Sequence, residues 1–294
     1  MTFRNRGFVA ALVLLVAVAA FFSISGKLTG GSADEENGSG QILVPLSDVK
    51  NYDVILDVSP NATKYIPGAI NLNYVEFFDQ DKRLKPDSEL ARILGDAGIS
   101  RNNSVVVYGE CLPCGGGPSA ATYTYWIMKY LGQEKTGLLN GEISDWVAAK
   151  LPTENMSVVR PKSDYKPELR PELLATYDFV KSNQAQIVDS RTPQDRSVGS
   201  IPGSINMPYD AVLEKDKLKD RNALSLLFSG LGKDRSVVVY SATGVKASMV
   251  CFALEFLGYK ASLYTWNDWL THKNSENTSR NVGPEMSQNI TKMN

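Results

Sequence analysis

Short runs of Val, Ile and Leu, bounded by Gly, Pro, Asn and Asp, alternate along this chain with stretches of helical period. Residues 54–57, 105–108 and 136–139 read as strands, and 187–189, 237–240 and 262–264 repeat the series further on. The Val-rich runs are apolar at successive positions, the pattern of strands buried on both faces of a parallel sheet. Between them Ser88 to Ala97 is amphipathic, and Ala120 to Leu131 is a helical stretch that Gly132 ends as a helix C′ glycine. The alternation predicts an α/β fold, a mainly parallel sheet flanked by helices on both faces.

The whole series occurs twice, about 130 residues apart, near the size of one domain per copy. Tyr65-Ile66-Pro67-Gly68-Ala69-Ile70-Asn71 is answered by Ser200-Ile201-Pro202-Gly203-Ser204-Ile205-Asn206, each Pro-Gly marking a tight turn into a short strand. Ile143-Ser144-Asp145-Trp146 is answered by Trp266-Asn267-Asp268-Trp269. A period this long indicates a duplicated domain and not a solenoid. The first copy is assigned to residues 42–152 and the second to 171–272, with a charged, proline-bearing linker at 153–170. The tail, 273–294, is polar, rich in Asn and Ser, and expected to be disordered.

Candidate chemistry lies where Val105 to Tyr108 runs into Gly109-Glu110-Cys111-Leu112-Pro113-Cys114-Gly115-Gly116-Gly117-Pro118-Ser119. Backbone N–H groups of a Gly-rich loop opening a helix form an anion site, to which the helix dipole adds about half a positive charge. A cysteine there has a lowered pKa and is more fully thiolate, the form that attacks. The second copy reads Ser241-Ala242-Thr243-Gly244-Val245-Lys246-Ala247. Aligning Gly117 with Gly244 and Ala120 with Ala247 puts Ser241 where Cys114 stands, and Lys246 where Ser119 stands.

In this order and twice over, these segments resemble the rhodaneses in their tandem two-domain form, across residues 42–272. The resemblance implies two rhodanese-like domains that transfer a sulfane sulfur. A loop cysteine attacks thiosulfate or a similar sulfur-containing anion and holds the sulfur as a persulfide, which a thiol or cyanide then removes. A persulfide is anionic at neutral pH, and a ring of N–H donors stabilises it without a general base. Tandem members keep the active cysteine in the second domain, where this chain has Ser241, whose oxygen cannot form a persulfide. The second domain is therefore expected to be inert in sulfur transfer, with Gly244 and Lys246 left to bind an anion. Cys114 is the expected nucleophile, and Cys111 is the thiol able to resolve its persulfide, releasing sulfide and closing a disulfide. Gly115, Gly116, Gly117 and Ser119 would supply the anion-binding loop. Five extra residues, 109–113, precede Cys114; Ser119 replaces a basic residue, and Pro118 removes an N–H donor. Three other readings stay open: a structural Cys111–Cys114 disulfide, dithiol redox exchange, and a non-catalytic module that holds an anion or a protein partner.

Composition narrows the field. Three cysteines and one histidine, His272, are too few for a zinc site of familiar spacing, and no metal or cofactor is called for. A formal charge of −1 without a basic patch argues against nucleic acid as a partner. Residues 1–25, with Arg4 and Arg6 ahead of an apolar run from Phe8 to Ile24, read as a signal peptide or signal anchor, and 26–41 as a flexible tether. The positive-inside rule then places the domains outside the membrane, as do the Asn-x-Ser/Thr triplets at Asn37, Asn61, Asn102, Asn155, Asn277 and Asn289. Cys251, inside a helical pattern, reads as a buried small hydrophobe. Trp126, Trp146, Trp266, Trp269, Tyr108 and Tyr240 read as packing residues. Asp57 and Asp189 read as strand-end caps or as groups that orient their loops.

Overall fold

A computed structural model of the chain describes residues 41–109, 111 and 116–282. The apolar segment, nearly all of the tether, Cys114, Gly115 and the end of the tail lie outside them. Among the described residues no helix is long and apolar enough to cross a membrane.

The first domain runs β1 (Leu43–Val44), β2 (Val54–Asp57), β3 (Ile70–Asn71), α1 (Asp87–Asp96), β4 (Val105–Tyr108), α2 (Ser119–Tyr130), β5 (Thr136–Leu139) and α3 (Ile143–Ala148). Its five-stranded sheet has the order β1-β5-β4-β2-β3, every pair parallel. All four residues of β4 are buried, which is why its Val run does not alternate with polar residues.

The second domain runs α4 (Tyr177–Lys181), β6 (Gln186–Asp189), α5 (Pro193–Ser197), β7 (Ile205–Asn206), β8 (Leu213–Glu214), β9 (Lys217–Leu218), α6 (Arg221–Leu227), β10 (Val237–Ser241), α7 (Val245–Phe256), β11 (Ala261–Thr265) and α8 (Trp266–Val282). Its parallel sheet is β11-β10-β6-β7, and β8 and β9 form a separate antiparallel hairpin. Leu174 bridges Leu263 in parallel where β1 pairs β5 in the first domain.

The domains meet along α2 and α7. Thr122 Oγ1 lies 2.9 Å from Ser248 Oγ, the Tyr125 ring meets Phe252 edge-on, and the Tyr125 hydroxyl donates to Glu255 at 3.0 Å. Each helix lies between its own sheet and the other helix, so both are apolar nearly all round.

Two expectations change. Residues 153–170 do not hang between the domains but strap the first one. Within this strap Ser163 N–H donates to Gly95 O at the end of α1, and Glu168 N–H to Leu131 O and Arg170 N–H to Tyr130 O, satisfying carbonyls at the end of α2. The polar tail from Lys273 is helical as far as Val282, as the second half of α8. The sequence there is polar because this helix is largely exposed. Tyr177 holds it by stacking on His272 with ring centres 4.6 Å apart, and Lys181 pairs with Glu276.

Candidate active site

Both loops leave the C-terminal end of a buried strand and enter one of the paired helices. In the second domain Ser241 closes β10, and Gly244, at φ +97°, turns the chain into α7. A Cβ at Gly244 would also lie 2.9 Å from Leu263 Cδ2, so glycine is needed both for its backbone angle and for close packing. The buried Ser241 Oγ accepts N–H groups from Gly244 at 3.1 Å and Ala247 at 3.2 Å. The donors expected to hold an anion are thus aimed at the side-chain atom of residue 241 and engage its hydroxyl. Lys246 lies with Nζ 4.4 Å from the centre of the Tyr209 ring.

In the first domain Cys111 is buried and disulfide-bonded, while Cys251 is a free buried thiol whose pKa burial pushes far up. The third cysteine of the chain is Cys114. The Tyr74 hydroxyl stands 3.2 Å from Cys111 Sγ. Gly116 and Gly117 have φ of +74° and +56°. Ser119, expected at the anion-recognising position, opens α2 fully buried, and its hydroxyl has no hydrogen-bond partner among the described residues.

The helices correct the alignment of the loops by one residue. α2 and α7 both span 12 residues and end in Leu-Gly, at Gly132 with φ +86° and Gly258 with φ +81°. Their first bonds run from Thr122 N–H to Pro118 O and from Ser248 N–H to Gly244 O. Pro118 therefore matches Gly244, and Lys246 matches Ala120 instead of Ser119. The glycine spacing misled because the first loop carries one more residue between its positive-φ glycine and the helix.

Each loop is covered by the other domain. The β8–β9 hairpin packs on the first loop so closely that a Cβ at Gly117 would lie 2.9 Å from Leu213 Cδ1 and 3.1 Å from Asp216 O. Lys217 of that hairpin pairs with Asp145 at 2.5 Å. Conversely, Lys82, Arg83 and Leu84 of the first domain line a cavity of about 560 Å³ with Ala242, Thr243 and His272 of the second. His272 Nδ1 bonds to Asp268 O at 3.0 Å, not to Ser241. A second cavity, about 520 Å³, lies by α2 and α7 away from both loops, beside Glu255 and Cys251.

Strand-end aspartates brace the loops, and here the sequence reading fell short. Asp189 is fully buried and takes a bidentate ion pair from Arg191 at 2.9 and 2.7 Å, a hydrogen bond from Tyr240 at 2.6 Å, and Arg196 at 3.3 Å. The Arg191 guanidinium lies 4.2 Å from the centre of the Trp266 ring. Tyr240 and Trp266 are therefore parts of a charged network as well as packing residues. Burial pulls the Asp189 carboxyl upward, but the bonds from Arg191 and Tyr240 outweigh it and hold the pKa below the usual range. Asp57 is equally buried but has no cation beside it: it takes the Ser59 N–H at 2.8 Å and the hydroxyls of Ser59 and Tyr108, and burial raises its pKa. The signal for this difference was Arg191, two residues beyond Asp189, where the first copy has Ser59.

A family model described as the rhodanese-like domain matches residues 42–149 and again 175–270. The chain belongs to the rhodanese family. Among curated rhodanese relatives, a putative thiosulfate sulfurtransferase of Haloferax volcanii is 30% identical over 245 residues, covering 74% of this chain and 84% of that protein. The 3-mercaptopyruvate sulfurtransferase of Escherichia coli is 26% identical, covering 70% and 80%. The crystal structure of SseA from Escherichia coli shares the rhodanese fold with a TM-score of 0.67 at 22% identity, over 76% of this chain and 97% of that one. The anaerobic ergothioneine biosynthesis enzyme of Chlorobium limicola gives a TM-score of 0.71 at 20% identity, over 85% and 73%.

Proposed function

We propose that the chain is a sulfurtransferase that moves a sulfane sulfur, from a donor such as thiosulfate to a thiol or cyanide, through a persulfide on Cys114. The second domain is catalytically silent. The observation that carries this reading is Ser241: the N–H donors of the second loop converge on an oxygen that cannot accept sulfane sulfur. Cys111 and Cys114 both belong to the first loop, where Cys111 is disulfide-bonded, and this reading takes that disulfide as the oxidised form of the pair. The relatives named as sulfurtransferases span most of the chain, which fits both domains serving one such site. The disulfide equally suits thiol–disulfide exchange, which here is the step that returns the enzyme to its reduced state.

The test is the intact mass of the reduced protein after exposure to thiosulfate. A gain of one sulfur atom that Cys114→Ser abolishes and Cys111→Ser preserves is expected. No gain in the reduced wild type overturns the reading. We also place the domains outside the cytoplasm, held or exported by residues 1–25; their accessibility to protease in intact cells checks this, and protection contradicts it.

A further inference from the structure

We propose that the cavity beside α2 and α7 binds a free amino acid with an apolar side chain, whose ammonium group meets Glu255 and whose carboxylate meets Lys129. The site is separate from both loops, and its test does not depend on sulfur transfer.

Lys129 and Glu255 hold the same place in two helices of 12 residues each, with opposite charge. Both are half-buried, and both line the cavity of about 520 Å³. That volume falls within the range of small-molecule sites, about 300–1,000 Å³. The inner walls are apolar and fixed by their own contacts. The Tyr125 ring meets Phe252 edge-on with centres 5.0 Å apart, and Trp126 stacks on Tyr130 while its indole N–H donates to Leu173 O at 3.1 Å. Burial raises the Cys251 pKa, so this thiol adds no charge to the wall.

The polar groups of the cavity are incompletely matched within the protein. The Glu255 carboxylate accepts the Tyr125 hydroxyl at 3.0 Å but has no ion pair among the described residues. Burial raises its pKa, and Lys129, Tyr125 and Arg170 offset only part of that rise. Lys129 thus acts on Glu255 through space without reaching it, and its ammonium makes no hydrogen bond or ion pair among the described residues. Ser262 of β11 lines the same cavity, and its buried hydroxyl has no partner among the described residues. Arg170, exposed at the rim, is already paired with Glu172 at 3.0 Å.

Buried polar groups without partners cost free energy, which a ligand that pairs them recovers. The charges select that ligand. An anion alone brings a second negative charge to Glu255, and a cation alone brings a second positive charge to Lys129. A molecule with one end of each sign pairs both groups across the gap between them. Its apolar side chain then lies against the rings of Tyr125, Trp126 and Phe252, and the Ser262 hydroxyl is left to bond whichever end reaches it. A free amino acid carries both charged ends and the side chain on one carbon.

The test is titration calorimetry on the full-length protein with L-phenylalanine and L-leucine as probes. L-phenylalanine is expected to bind saturably, and 3-phenylpropionate and phenethylamine, which each lack one charged end, about tenfold more weakly. Glu255→Gln is expected to weaken L-phenylalanine about tenfold and to spare 3-phenylpropionate, whereas Lys129→Met weakens it to a similar degree and spares phenethylamine. In Cys111→Ser, Cys114→Ser protein, where Cys251 is the remaining thiol, saturating L-phenylalanine is expected to slow its alkylation by iodoacetamide severalfold. No saturable binding of either amino acid with a Kd below about 10 mM overturns the proposal. So does binding of either one-ended analogue as tightly as L-phenylalanine, or an equal loss for all three ligands in a variant. Should a variant not fold, the three ligands on wild type and the alkylation of Cys251 still decide, and alkylation at an unchanged rate places the ligand elsewhere and overturns the site.

Discussion

Asp57 ends β2 and Asp189 ends β6, each fully buried and each beside the loop of its own domain. Asp189 is held by two arginines and a tyrosine, whereas Asp57 has a serine, through its N–H and its hydroxyl, and a tyrosine. The loops diverge in the opposite sense. The loop beside the charged network begins at Ser241, and the loop beside the simpler one carries Cys111 and Cys114. The rigid ionic brace thus lies in the domain whose loop presents Ser241 and no cysteine. The brace holds the strand end and the Pro-Gly turn, and it does not depend on a cysteine in the loop.

The comparison breaks most visibly at Asp189. Asp189→Ala leaves the buried Arg191 without its carboxylate and is expected to cost about 3–5 kcal/mol in denaturant unfolding. Asp57→Asn strips no cation and is expected to change stability by less than about 1 kcal/mol at neutral pH. Next in size, Gly244→Ala forces a side chain into positive φ beside Leu263 and is expected to cost about 1–3 kcal/mol.

The two aspartates should also respond oppositely to acid. The lowered pKa of Asp189 adds stability above the unfolded value, near about 3.9, that is lost as pH falls through the folded pKa. The raised pKa of Asp57 adds stability below the unfolded value that is lost as pH rises through the folded pKa. The stability gap between wild type and Asp189→Asn should therefore narrow as pH falls below about 4, while the gap between wild type and Asp57→Asn should shift in favour of the wild type. Parallel pH profiles for the two variants would contradict the assignment. The smallest effect is expected at the half-exposed Lys217–Asp145 pair, where Lys217→Ala should cost less than about 1 kcal/mol and lose even that in high salt.

Much of this architecture is legible in the chain itself. The buried Val runs, the Pro-Gly turns and the Leu-Gly helix ends are local signals, and each lies where its pattern indicated. What the pattern could not carry was non-local. Arg191 becomes the partner of Asp189 only because Tyr240 and Trp266, far along the chain, wall it in. The strap reads as a linker because its bonds are made by backbone atoms to helix ends, which leave no mark on side-chain type. Tyr74 reads as one aromatic among many, since its nearness to Cys111, 37 positions further on, is a contact that no local pattern carries. The one-residue misalignment of the loops arose from glycine spacing, which an extra residue shifts, whereas helix length does not change.

The most direct measurement of the central claim is steady-state transfer of sulfur from thiosulfate to cyanide by the full-length protein under reducing conditions. It would compare wild type, Cys114→Ser, and Cys114→Ser with Ser241→Cys. The account predicts turnover in the wild type, background in Cys114→Ser, and partial recovery when a sulfur replaces the oxygen that the Gly244 and Ala247 N–H groups address. Undiminished turnover in Cys114→Ser would contradict it, because the sulfur would then be carried somewhere other than the first loop.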